Sequence, residues 1–185
     1  MARIVLGVGG SVAAYRACDL ARELMRDGHD VRACLTDSAQ QFVTPALFEA
    51  LTGNPCLVSA FDEPERGKMA HIDWAKEADL MVVAPATANL LAKLAHGVAD
   101  DMLSTIALAT RAPWVVAPAM NPAMYASDPV REALRILGSR AAVVVEPDSG
   151  VVACGDEGKG KFAPIERIAD ACRSVIARKR LLSGQ

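Results

Sequence analysis

Apolar residues in this chain gather in short runs: Arg3 to Val8, Val31 to Leu35, Pro55 to Ser59, Leu80 to Ala84, Trp114 to Ala117 and Ala142 to Glu146. Each run has the length of a strand, and most are separated by segments long enough for a helix. Six strands are therefore expected. In the first, fourth, fifth and sixth runs the hydrophobicity is continuous instead of alternating, as required of strands buried on both faces of a parallel sheet. The expected fold is α/β: a three-layer, Rossmann-like, doubly wound parallel sheet forming a single domain over residues 1–180, with 181–185 as a tail or linker.

Polar punctuation supports this reading. Ser11 is placed to cap a helix running to Asp27, with Gly28 supplying a left-handed stop and Leu20, Leu24 and Met25 facing the sheet. Asp128 as N-cap with Pro129 at the first helical position signals another helix, and Pro164 stands near the start of a last helix ending at Arg180. Asp62 to Lys68 and Pro147 to Lys161 are expected to be the mobile segments, the second because four glycines break any apolar pattern.

Composition narrows the function classes. With 185 residues, 52% hydrophobic and 23% charged, the chain can bury one substantial core and has no disordered signature. Twenty basic side chains against twenty-two acidic ones, without a long like-charge run, give no electrostatic grip on nucleic acid. The apolar runs fall short of a membrane span, and no secretory signature or Asn-x-Ser/Thr sequon occurs, so a cytoplasmic protein with a small-molecule ligand is expected. Five cysteines without Cys-x-x-Cys spacing disfavour a disulfide framework or a thiolate zinc site, and no histidine pair has metal-ligand spacing.

In a doubly wound sheet, ligands bind beyond the carboxyl ends of the strands where the strand order reverses. The loops there are Gly7-Val8-Gly9-Gly10-Ser11 after the first strand and Pro85-Ala86-Thr87-Ala88-Asn89 after the fourth. The first nearly matches a dinucleotide fingerprint, but Val12 stands in place of the third glycine and Thr36-Asp37 offers no persuasive ribose acid. Its amides and the Ser11 hydroxyl suit a mononucleotide phosphate; it reads equally as a tight strand-to-helix turn. Gly155 to Phe162 follows a Walker A pattern until Phe162, which has no hydroxyl for Mg²⁺, so an NTPase is rejected in favour of a flexible basic flap.

Three side chains carry candidate chemistry. His71, at the expected start of a helix, suits proton transfer near neutral pH; His29 and His96 are assigned structural roles. Asn121, in Pro118-Ala119-Met120-Asn121-Pro122, can hold a carboxylate over the crevice or simply cap a helix. Cys154, between Ala153 and Gly155, has the steric freedom of a loop thiol, with Lys159 and Lys161 nearby in sequence for thiolate or phosphate binding.

Taken in order, Gly9-Gly10-Ser11-Val12-Ala13-Ala14-Tyr15, His71, Pro85 to Asn89, Pro118 to Met124 and Ala153-Cys154-Gly155 resemble the homo-oligomeric flavin-containing cysteine decarboxylases over nearly the whole chain. The resemblance is strongest to the branch acting in coenzyme A biosynthesis, including the decarboxylase half of a bifunctional bacterial enzyme. It implies FMN held by Gly9, Gly10, Ser11, Thr36 and Ser38 at its phosphate and by Pro85, Ala86, Thr87 and Asn89 near its ring. It further implies trimers or dodecamers with flavin at a subunit interface, and a fused or separate synthetase partner for which residues 180–185 resemble the linker. The implied reaction decarboxylates 4′-phosphopantothenoylcysteine to 4′-phosphopantetheine. Oxidising the thiol-bearing carbon to a thioaldehyde creates an electron sink for the departing carboxylate, and flavin takes the hydride.

Within that reaction His71 is implied as base or orienting group, Asn121 as carboxylate anchor, and Cys154 as the acid that protonates the enethiol. Met120, Lys159 and Lys161 are implied in substrate binding. Peptidyl-cysteine decarboxylases, which release the enethiol and lack this cysteine, are the alternative; a flavin-binding regulatory subunit and a flavin prenyltransferase are further readings that the motifs disfavour. Arg16, Tyr125 and the segment before Pro164 depart from the usual Lys, Trp and Glu, and the last bears on flap closure and substrate choice.

Overall fold

In a computed structural model, which describes residues 1–61 and 69–183, five parallel strands form the central sheet in the order β2-β1-β3-β4-β5. These are β1 (Arg3–Val8), β2 (Asp30–Leu35), β3 (Leu80–Ala86), β4 (Trp114–Pro118) and β5 (Val143–Val144). The order reverses between β1 and β3, which pair directly with Ile4 opposite Leu80 and Gly7 opposite Val83. The crevice expected between the first strand and the Leu80 strand is therefore real.

Strand parity explains the three layers, because successive side chains point to opposite faces. Ile4, Leu6 and Val8 of β1, with Leu80, Val82 and Ala84 of β3, face a cluster completed by α1 (Arg16–Arg26), α2 (Pro45–Thr52) and α8 (Ile165–Ser183). Val5, Met81, Val83 and Val116 face the other cluster, beneath α3 (Ala70–Glu77), α4 (Ala88–His96), α5 (Met102–Ala109) and α7 (Asp128–Ser139). Both faces are apolar, which is why the runs read as continuous.

Three expectations need correction. The run Pro55 to Ser59 does not become a sixth strand of the sheet: only Leu57 bridges, pairing beside Cys34 through bonds between Leu57 N–H and Ala33 O (3.0 Å) and between Leu35 N–H and Leu57 O (2.9 Å). Pro55 has no N–H to extend the ladder, and the Asn54 amide substitutes for it by donating to Asp30 and to the Val31 carbonyl. The expected flexible flap is in part an antiparallel hairpin, β6 (Asp148–Val151) with β7 (Glu157–Lys161). The cap before α7 is Ser127, in extended conformation, so Asp128 is its first residue and not its cap.

Ser11 caps as expected, its Oγ accepting from Ala13 N–H, but the first turn (Val12–Tyr15) is a 3-10 helix that passes into α1. Gly28 takes the left-handed conformation at φ 79°. The last helix continues through Ser183, past the expected end at Arg180. The segment 62–68, expected to be mobile, lies outside the described residues.

Phe48 of α2 is wholly buried and joins that helix to the β2 side of the first cluster. Phe48→Ala is expected to lower unfolding stability by about 3–5 kcal/mol, read as a reduced urea midpoint.

Candidate active site

The site begins with two glycines that let backbones touch. Gly9 N–H donates to Pro85 O at 3.0 Å, and a Cβ built on Gly9 would stand 2.7 Å from that same oxygen. A Cβ on Gly10 would overlap Ser38. The loops after β1, β2 and β3 thus close on one another only because neither position carries a side chain.

Hydroxyls and amides ring the cradle. Thr36 N–H donates to Val8 O, its Oγ1 accepts from Ala39 N–H at 3.2 Å, and Oγ1 lies 3.2 Å from Ser38 Oγ. Thr87 Oγ1 caps α4 by accepting from Leu90 N–H, and Asn89 follows in the first turn. Backbone N–H groups at turn and helix starts favour anions, while Pro85 and Ala86, buried at the end of β3, are apolar. The residues assigned to the cofactor therefore form one connected patch, and its side-chain-free floor with flanking hydroxyls fits a phosphate-bearing mononucleotide.

The second part of the site hangs from β4. Ala119 N–H donates to Ala86 O at 3.1 Å, joining the two loops, and Asn121 then caps α6 (Pro122–Ala126). Asn121 Oδ1 accepts from Ala123 N–H at 2.7 Å, which fixes the amide orientation, while Nδ2 donates to Cys154 Sγ at 3.3 Å and to the Asp156 carboxylate. Asn121 is both a cap and a reaching group, so the two readings of it coexist.

Cys154 reaches Asn121 because the hairpin lies across the 120–122 segment. Met120 N–H donates to Gly160 O at 3.0 Å; a Cβ on Gly160 would overlap Met120 O, and one on Gly158 would come within 2.8 Å of Pro122. Two residues apart on a strand, these glycines share a face. Lys159 points the other way, to Glu146 Oε2 at 2.5 Å, with its ammonium 5.7 Å from the Tyr125 ring centroid. The ammonium of Lys159 holds the Glu146 carboxyl below its ordinary range, and Tyr125 also donates to it at 2.9 Å. Burial, then Glu146, raises the Tyr125 phenol.

Lys159 is thus engaged in fastening the hairpin, whereas Lys161 is exposed and has no ion pair among the described residues. His71, half-buried at the second position of α3, has no hydrogen bond to Asn121 or Cys154. Asp156 and Glu146 were not among the predicted site residues, and Tyr125 was noted only as a departure from the usual Trp; the alternating glycines at 158 and 160 were the available signal of a close-packed strand. A cavity of about 760 Å³ at the amino ends of β4 and β5, lined by Trp114, Val143 and Leu182 among others, contains none of the predicted site residues. Among the described residues no group of three His, Cys, Asp or Glu side chains could hold a metal, and no helix is long and apolar enough to cross a membrane.

The cysteines divide by environment. Burial pushes the Cys34 thiol well up, raises Cys56 and Cys172 to about 12, and raises Cys18, whereas Cys154 is exposed on the hairpin turn. A limiting alkylating reagent at pH 8 is expected to modify Cys154 first, with Cys154→Ser removing the fast phase followed by mass spectrometry. Gly9→Ala is expected to cost about 1–3 kcal/mol, because two backbones must separate, and to lower flavin retention measured by absorbance.

Comparison with known proteins agrees with this geometry. The Flavoprotein family model matches residues 1–177. The coenzyme A biosynthesis bifunctional protein CoaBC of Escherichia coli (strain K12) is 45% identical over 168 residues, covering 91% of this chain and 41% of that protein. This chain therefore spans less than half the length of that relative. Among solved structures, the FMN-dependent cysteine decarboxylase SpaF superposes with a TM-score of 0.83 at 30% identity, covering 97% of this chain and 98% of its own. A PPC decarboxylase variant complexed with pantothenoylaminoethenethiol gives a TM-score of 0.81 at 28% identity, covering 93% and 96%. A glycine-lined cradle at the strand-order reversal, matched along almost the whole chain by this family model, makes the chain a member of the Flavoprotein family.

Proposed function

We propose that this chain is an FMN-dependent phosphopantothenoylcysteine decarboxylase, converting 4′-phosphopantothenoylcysteine to 4′-phosphopantetheine and carbon dioxide in coenzyme A biosynthesis. The observation that carries the reading is the meeting of Cys154, from the hairpin turn, with Asn121, on a loop hydrogen-bonded to the cradle loop through Ala119 and Ala86. A carboxylate anchor and a proton-bearing sulfur at one place suit removal of a carboxyl group followed by protonation.

Gly9, Gly10, Ser11, Thr36 and Ser38 would hold the FMN phosphate, and Pro85, Ala86, Thr87 and Asn89 its ring end. Bound FMN supplies an acceptor for hydride from the thiol-bearing carbon and a donor that later returns it. His71 takes the substrate thiol proton at an imidazole nitrogen. Asn121 Nδ2 holds the carboxylate and so orients the bond that breaks. With the thiol-bearing carbon at the thioaldehyde level, that bond's electrons have an acceptor and carbon dioxide leaves. Cys154 Sγ–H then delivers a proton to the carbon that lost the carboxyl group. Overall the substrate exchanges carbon dioxide for a proton without net oxidation. Met120 lines the anchor, Lys159 keeps the hairpin in place, and Lys161 is the cation left for the substrate phosphate.

The same reading carries a homo-oligomer, trimer or dodecamer, working in the cytoplasm, with residues 1–180 as the decarboxylase domain and a fused or separate synthetase as partner. CoaBC, a bifunctional protein more than twice as long, supports the fused arrangement.

Incubation with 4′-phosphopantothenoylcysteine is expected to release carbon dioxide and yield the saturated thiol, followed by mass spectrometry. Enethiol as the sole product of the unaltered chain would instead favour a peptide-modifying enzyme. Cys154→Ser is expected to release carbon dioxide yet accumulate enethiol, with saturated product reduced about 10²-fold or more; an undiminished yield would remove Cys154 from its role. His71→Asn is expected to suppress substrate-driven bleaching of the flavin, and normal bleaching would exclude it as the base.

A further inference from the structure

Asn121 has two amide hydrogens, and both are engaged in this structure: Nδ2 donates to Cys154 Sγ at 3.3 Å and to the Asp156 carboxylate. Its oxygen is occupied too, accepting from Ala123 N–H at 2.7 Å, so the amide cannot flip to offer anything else. A primary amide has two donors and no more. An incoming carboxylate can therefore reach Nδ2 only by taking the place of one present partner.

Asp156 presents the same functional group as the ligand that Asn121 is read to bind: a carboxylate on a short stem. It makes no ion pair among the described residues; Lys159 pairs with Glu146 and Arg167 with Asp148. Its side chain is exposed, so once released it returns to water at little cost. The hairpin does not need to open for the exchange. Its turn is closed by backbone bonds from Val152 N–H to Asp156 O and from Gly155 N–H to Val152 O, both 2.9 Å, and its base is fastened through Gly160 and Lys159. Rotation of one aspartate side chain suffices.

We propose that Asp156 is a resident stand-in for the substrate carboxylate: it keeps the Asn121 amide aimed while no ligand is bound, and the substrate carboxylate displaces it. Asp156 is on this view a positioning residue, acting through Asn121, and the inference rests on the carboxylate-anchor reading of Asn121. The exchange also sets a direction. A ligand that has lost its carboxyl group cannot compete for Nδ2, so Asp156 returns to the amide and the decarboxylated molecule loses its anchor.

Calorimetric titration of the FMN-loaded chain tests this with two unreactive ligands: 4′-phosphopantothenoyl-alanine, which keeps the carboxylate without a thiol, and the matching N-ethyl amide, which lacks it. Asp156→Ala and Asp156→Asn are expected to tighten the alanine ligand about two- to fivefold, the range of an exposed charged contact, and to leave the amide unchanged. Equal shifts for both ligands, or none for the alanine ligand, would overturn the proposal. Asn121→Ala separates the layers of the argument. If it fails to abolish the preference for the carboxylated ligand, the anchor reading falls and takes Asp156 with it. If it abolishes that preference while the Asp156 variants stay flat, only the role of Asp156 is lost.

Discussion

The contact between Gly9 and the Pro85 carbonyl is the constraint on which the site depends. A parallel sheet that reverses its strand order places two carboxyl-terminal loops side by side, but side chains ordinarily hold such loops apart. Here the loops are joined backbone to backbone, and the missing side chain of Gly10 leaves room for Ser38 of the loop after β2. What remains is a floor of amides and hydroxyls without side-chain bulk, so a phosphate can approach the main chain directly. Both layers of buried side chains serve this arrangement by fixing β1 and β3 in register.

A second set of contacts brings chemistry to that floor from far along the sequence. The hairpin is a weak structure by itself, since a lone two-stranded ribbon is marginal in water. It is stabilised by resting on the 120–122 segment through glycine contacts and by the Lys159–Glu146–Tyr125 group on its other face. One face of β7 thus provides contact and the other provides fastening. The turn between the strands is left to carry Cys154 and Asp156 to Asn121. Fixed attachment with an exposed tip is the arrangement that the proposed exchange at Asn121 requires.

Much of the fold was legible because the main signals are local. Buried parallel strands give continuous apolar runs, and Gly28, Ser11 and Pro164 mark helix ends by mechanisms that do not depend on distant residues. The Pro55 to Ser59 run misled because its composition is that of a strand, whereas its fate was decided by Pro55 and by the Asn54 side chain occupying the neighbouring position on β2. The hairpin was hidden for the opposite reason. Its glycines read as breakers locally, and only contact with Met120 and Pro122 shows that they are spacers. The loops after β1 and β3 were legible from their position in the fold, whereas Thr36, Ser38 and the Asn121–Cys154 pair came only with the resemblance carried by the ordered set of motifs. Asp156 was not recoverable, since an acidic side chain in a glycine-rich stretch looks the same whether it faces solvent or an amide, and Glu146, at the end of an apolar run, carries no local sign of its partners Lys159 and Tyr125.

The Pro55 to Ser59 strap has a consequence beyond local geometry. A parallel sheet has two margins, and an open margin is a template on which another molecule can add a strand. Along β2 that template is interrupted after a single bridge by an imino acid and a side-chain amide, and β5 at the opposite margin is only two residues long. Among the described residues, neither border offers a long run of backbone for intermolecular pairing. A molecule that docks at these borders would therefore have to rely on side-chain shape instead of a shared backbone ladder.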